Sequence, residues 1–392
     1  MKLPRSIITI AIIVAFSAFL SCTNRINGEK SPETSGKQPE KKQQTFRDGT
    51  LLEKKKQALK GGIFTKAVWE GKSISRLEEI LKIPHLRGLL VACRWNIFEP
   101  EEGKYNWEYI DSVIQQAERK NHYVCIAITP GVWTPDWVYK KGISVLHFKN
   151  TQKTERSLYG KDYRCPRVWE QEYLDIFLKT IDALGKRYDN NPRVIRVGVS
   201  GPILFYNELH IQSRLIPAME REGFTIEKYI DAWEYAFDSY AFSFPNTPLM
   251  VFMVPLDGDI EPLNVFTQNI VDKHRDQCVF GCANLADKWM KSPKQPLVRL
   301  YETLSSLPAD IPIGFEIGEY HMGDGPSHAH RMEEQKPEIY GRVVDWAIDL
   351  KAWFIHAEEK RLLNPANNQI YERFRKFNQD KQSLAQPGDN QK

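Results

Sequence analysis

Between residues 61 and 378, short apolar runs alternate with longer stretches whose apolar positions recur at helical spacing. The runs at 62–68, 88–93, 123–129 and 194–199 predict strands, and those at 249–254, 278–282, 311–315 and 352–356 predict four more. Helical spacing predicts helices over 75–81, 107–120, 167–188, 226–242 and 335–349. Segments 262–274 and 296–306 cover the remaining connections. Strands alternating with helices in this way indicate an α/β chain with a parallel sheet wrapped by helices. Eight such strands is the count of a (β/α)8 barrel. A doubly wound open sheet would alternate similarly, but it would carry a glycine-rich phosphate turn after its first strand. Here Gly61 and Gly62 precede that strand, where they serve a turn.

The ends of the chain break the pattern. Lys2 and Arg5 precede an apolar run over 7–20, followed by Ser21 and Cys22. A run this short suits the core of a signal peptide, residues 1–21, better than a membrane span. Its ending, Phe19-Leu20-Ser21-Cys22, resembles a bacterial lipobox, although Phe19 replaces the commoner leucine. The resemblance implies that Cys22 is lipidated and holds the protein at the cell envelope by an N-terminal membrane anchor. Residues 22–60 then read as a flexible tether and 379–392 as a loose tail, since such polar segments bury too little surface to offset their ordering entropy. What remains, 61–378, has the length of one large barrel domain.

Composition narrows the function classes only modestly. The 392 residues carry a formal charge of +4, with 42% hydrophobic and 27% charged residues. Nothing in that balance argues for nucleic acid. Cys93 and Cys125 fall inside predicted strands and read as small core residues. Cys278 and Cys282 have a local metal-like spacing, but no second pair completes a zinc site, so no metal is expected.

The most informative stretch is 95–137, WNIFEPEEGKYNWEYIDSVIQQAERKNHYVCIAITPGVWTPDW. A strand ends in Arg94, Trp95 and Asn96, a turn follows on Glu99-Pro100-Glu101-Glu102-Gly103, and a helix leads to a strand closed by Pro130-Gly131. Strand C-termini are where a barrel of this kind places its binding groups. The succession resembles the second and third strands of TIM-barrel glycoside hydrolases, in the clan of the family 42 β-galactosidases and family 5 cellulases. That resemblance implies an enzyme that hydrolyses O-glycosidic bonds of an oligo- or polysaccharide with two carboxyl groups and no cofactor.

Two positions fit those carboxyls. "RYDNNPRV" at 187–194 resembles the clan's lead into its fourth strand, and Asn207-Glu208 resembles its Asn-Glu pair. Glu208 would be the general acid/base, with Asn207 bonding a sugar hydroxyl. A Gly201-Pro202 insert separates the pair from the strand end and resembles the acid loop of inverting β-amylases, so retaining and inverting mechanisms both stay open. On the seventh strand, Phe315-Glu316-Ile317-Gly318-Glu319 resembles the neighbourhood of the clan's nucleophile. Glu316 fits by its strand-end position, with Glu319 as the rival and Tyr320 beside it as a substrate contact. Arg94 matches the clan's arginine at the second strand. Trp95, Trp133 and Trp137 are the candidate platforms for the apolar faces of pyranose rings. The charged run at Glu358 and Glu359 reads as a solvated helix face. A rival reading is a carbohydrate-binding lipoprotein on a catalytically lapsed barrel, which would need the tryptophans but neither glutamate.

Overall fold

The computed structural model describes residues 47–69, 77–149, 160–290, 292–317 and 336–384. Its strands are β1 (Gly62–Trp69), β2 (Gly88–Arg94), β3 (Tyr123–Thr129), β4 (Val145–Lys149), β5 (Asp162–Pro166), β6 (Val194–Gly198), β7 (Leu249–Met253), β8 (Cys278–Leu285), β9 (Ile313–Ile317) and β10 (Phe354–Ala357). Eight of them close into a barrel in the order β1-β2-β3-β6-β7-β8-β9-β10, every neighbouring pair parallel. All eight predicted strands are present, so the (β/α)8 expectation holds.

The strands read as near-continuous apolar runs because both of their faces are covered. One set of side chains, including Phe64, Leu90, Cys125, Met250, Phe252, Val279 and Phe354, fills the barrel interior. The alternate set, including Ile63, Leu89, Val91, Val124 and Ile126, packs outward under the helices. Each fully buried side chain of this kind contributes roughly 1.5–3 kcal/mol. The helix Trp107–Arg119 shows the matching pattern, burying Ile110, Val113, Ile114 and Ala117 on one face.

Two boundaries need correction. The segment 22–60 is not a tether throughout, because Gly49–Gln57 is a helix, capped by the Asp48 side chain, which accepts from the Thr50 and Leu51 amides. Its lysine run suggested solvation, yet Lys55 is buried and donates to the Asp189 carbonyl at 2.6 Å and the Thr247 hydroxyl at 2.8 Å. The loose tail expected over 379–392 is likewise a helix, Asn368–Leu384, as far as Leu384. A further addition is the antiparallel hairpin β4–β5 between β3 and β6, after which the helix expected from 167 begins at Gln171.

Candidate active site

The acid loop leaves the barrel at the end of β6 and is tied down at several points before it returns. Ser200 donates its hydroxyl to the Ile128 carbonyl at 2.6 Å and lies 3.0 Å from the Tyr240 hydroxyl. Tyr173 donates to the Gly201 carbonyl, and the Val132 amide donates to the Leu204 carbonyl at 2.9 Å. The chain then rejoins the sheet at Leu209, whose amide donates to the Phe252 carbonyl at 2.7 Å and which bridges Met253 of β7. The Gly-Pro insert is therefore a bulge outside the barrel. Glu208, one residue before the point of return, still stands at the rim.

Glu208 and Glu316 line one cavity of about 510 Å3, with Thr65, Lys66, Asn207, Phe252 and His356. A site of that size suits a small polar ligand. Glu316 sits in β9, directly opposite His356 of β10 in the register. Burial pushes the Glu208 carboxyl up to about 7, helped by the negative charge of Glu316 and opposed by Lys66. A carboxyl that burial keeps protonated near neutrality, with a second carboxyl in the same cavity, is what general-acid work requires. The Asn207 side-chain oxygen is buried without a hydrogen-bond partner, as expected of a group that waits for a ligand.

The remaining predicted residues scatter. Trp95 is fully buried, its indole donates to Glu99 at 2.9 Å, and Trp137, Tyr173 and Phe177 pack edge-on against it. It is not a sugar platform, because the short helix Trp95–Phe98 folds it back into the core. Trp137 donates to the Glu99 carbonyl at 3.1 Å and is half-buried. Glu99 itself is buried, accepting from Trp95, the Gly103 amide and Thr180. The distinctive "WNIFEP" stretch thus forms a structural knot. The Arg94 guanidinium lies over the Trp133 ring at 3.7 Å, and neither lines the cavity that holds the glutamates. Glu319, Tyr320 and Cys22 lie outside the described residues.

Several cavity residues went unread in the sequence. Lys66 is a lone charge inside the apolar strand β1, and Glu358, Glu359 and Lys360 look like a solvated helix start. Instead all four line the cavity, with Lys360 Nζ 3.2 Å from the Glu358 carboxylate. The available signals were a charge inside an apolar strand for Lys66 and charges just past a strand's C-terminal end for Glu358 and Glu359.

The chain is 30% identical to beta-galactosidase Pbg of Clostridium perfringens over 122 residues, covering 30% of this chain and 16% of that protein. It is 26% identical to beta-galactosidase BgaP of Planococcus sp. (strain L4) over 187 residues, covering 46% of this chain and 27% of that protein. The matches thus span less than a third of either relative's length. Xylanase 10B of Thermotoga maritima aligns with a TM-score of 0.45 at 14% identity, over 85% of this chain and 99% of that one. Residues 69–222, running from the last residue of β1 through the acid loop, match the family model of the beta-galactosidases, glycoside hydrolase family 42.

Proposed function

We propose that the chain is a glycoside hydrolase that cleaves a β-galactoside-type O-glycosidic bond. The observation that carries this reading is the pairing of Glu208 and Glu316 in one cavity, with Glu208 raised to about 7. Glu208 then holds a proton near neutrality and delivers it to the departing glycosidic oxygen. Glu316 attacks the anomeric carbon and forms a covalent glycosyl ester. That bond neutralises the charge of Glu316, so one cause of the raised Glu208 value disappears. Glu208 becomes the stronger base in the second half-reaction, when it takes a proton from the attacking water. Asn207 offers a polar side chain to a sugar hydroxyl.

The β-galactoside is proposed because residues 69–222 match the beta-galactosidase family. Hydrolysis of nitrophenyl β-D-galactoside, compared with the corresponding glucoside and xyloside, tests the sugar. Product anomers followed by NMR test the mechanism, with net retention expected and inversion removing Glu316 as nucleophile. Loss of turnover in both Glu208→Gln and Glu316→Gln is expected. Full activity in either one overturns its assignment. We further propose that Cys22 carries a lipid that holds the enzyme at the cell envelope. Detergent-phase partitioning of the wild type, lost in Cys22→Ala, is the expected result.

A further inference from the structure

The barrel interior contains a buried cation that the proposed reaction does not use. Arg196, in the middle of β6, has no solvent-exposed surface, and its Nε and Nη1 are buried without an oxygen or nitrogen partner among the described residues, the Cys125 thiol being the polar group beside it. No carboxylate is paired with it among the described residues, an arrangement that costs stability and calls for a reason. Phe354 and Phe64 partly compensate, since the guanidinium lies 4.5 and 5.1 Å from their ring centres. Its Nη2 reaches across the barrel to His356 Nε2 at 2.7 Å.

The chemistry of that contact has one solution. A guanidinium has only donors, so Nε2 must accept. The imidazole therefore carries its single proton on Nδ1. Phe64 stacks on the ring at 5.7 Å, and Phe252 and Phe354 stand against it at 5.4 and 5.9 Å. None of these walls accepts a conventional hydrogen bond. Yet His356 lines the cavity, opposite Glu316.

We propose that Arg196 locks His356 in the Nδ1–H tautomer, and that this N–H is a fixed donor to a hydroxyl of the sugar held between Glu208 and Glu316. The charges around the ring agree with the lock. Arg196 from β6 and Lys66 from β1 both oppose its protonation, and burial opposes it most, holding His356 well below the usual histidine range. Glu316 on β9, Glu208 on the acid loop, and Glu358 and Glu359 beyond β10 are the carboxylates of the same cavity among the described residues. Cys125 on β3 is the other titratable neighbour of Arg196. A donor that cannot ionise keeps the same bond to a sugar hydroxyl over the whole working range of the glutamates.

The lock is tested on the full chain by long-range proton–nitrogen NMR of histidine-labelled protein, with the signal identified by its loss in His356→Asn. The expected result is an Nδ1-protonated ring that stays unchanged from about pH 8 to about pH 5.5, where an ordinary histidine titrates. Titration within that range, or a proton on Nε2, overturns the lock. The donor role rests on the hydrolase reading and is tested by turnover. His356→Leu should lower kcat/KM by roughly 10- to 100-fold, the worth of one lost hydrogen bond to substrate. His356→Asn, whose amide still donates, should recover much of that, whereas equal losses in both overturn the donor. With no turnover of any glycoside the hydrolase reading and the donor fall together, and the NMR result alone decides the lock.

Discussion

At the scale of single residues, the proposed chemistry rests on one carboxyl kept protonated in the same cavity as another. Glu208 is raised to about 7, chiefly by burial, so kcat/KM should fall on the alkaline side with a midpoint near that value. Lys66 opposes the shift, so Lys66→Met should move the alkaline limb upward, and a pH–rate profile of the variant checks it. An unchanged limb would remove Lys66 as a tuning group. The same displacement is a stability statement. A carboxyl raised from its unfolded value favours folding fully below that value, and the benefit is lost as pH rises through about 7. Glu208→Gln should therefore gain stability relative to wild type between about pH 4.5 and 8, by on the order of 2 kcal/mol allowing for its partial exposure. Melting curves of both proteins across that range measure the divergence. That Glu208 and Glu316 share one cavity was legible in the sequence because each sits in a motif that follows or ends a strand. His356 is harder to read, since an isolated histidine among apolar residues reads equally well as core.

At the scale of elements, the acid loop is positioned by a neighbour that has no chemistry of its own. Gly131 follows β3 with φ of 64°, and a Cβ there would stand 2.2 Å from the Leu204 carbonyl oxygen and 2.4 Å from that of Ile203. Both constraints act on the loop that carries Glu208. Gly131→Ala should thus cost roughly 1–3 kcal/mol of stability and lower kcat by at least about tenfold as the loop moves. Thermal melting with steady-state kinetics tests it, and a change in melting without a change in kcat would separate the loop from the acid's position. Strands and long helices were readable because burial on fixed faces writes a period into the chain. The β4–β5 hairpin was not. Its alternation is short, and Cys165, which it buries, sits between Arg164 and Pro166 with no apolar run around it.

At the scale of the whole molecule, the two ends of the barrel divide the labour. The cavity opens at the C-terminal ends of the strands, while the opposite end is held by a polar knot around Asp189. The Asp189 carboxylate accepts from the Asn246 amide at 2.9 Å, the Asn246 side chain at 2.8 Å and the Thr247 hydroxyl at 3.0 Å. Lys55 of the N-terminal helix enters the same knot, and burial lowers its ammonium to about 8 although Asp189 favours the charge. The "RYDNNP" stretch that pointed to the fold thus marks this knot. Composition alone could not show that the polar chain before residue 61 belongs to it. Lys55→Ala should lower stability by about 1–3 kcal/mol by leaving the buried Asp189 carbonyl and Thr247 hydroxyl short of a donor. Because the change lies at the far end of the barrel, kcat/KM at a temperature where both proteins are folded should stay at the wild-type value. Denaturant unfolding paired with kinetics tests both halves. Lost activity in a fully folded Lys55→Ala protein would mean that the N-terminal helix shapes the catalytic mouth as well as securing the other end.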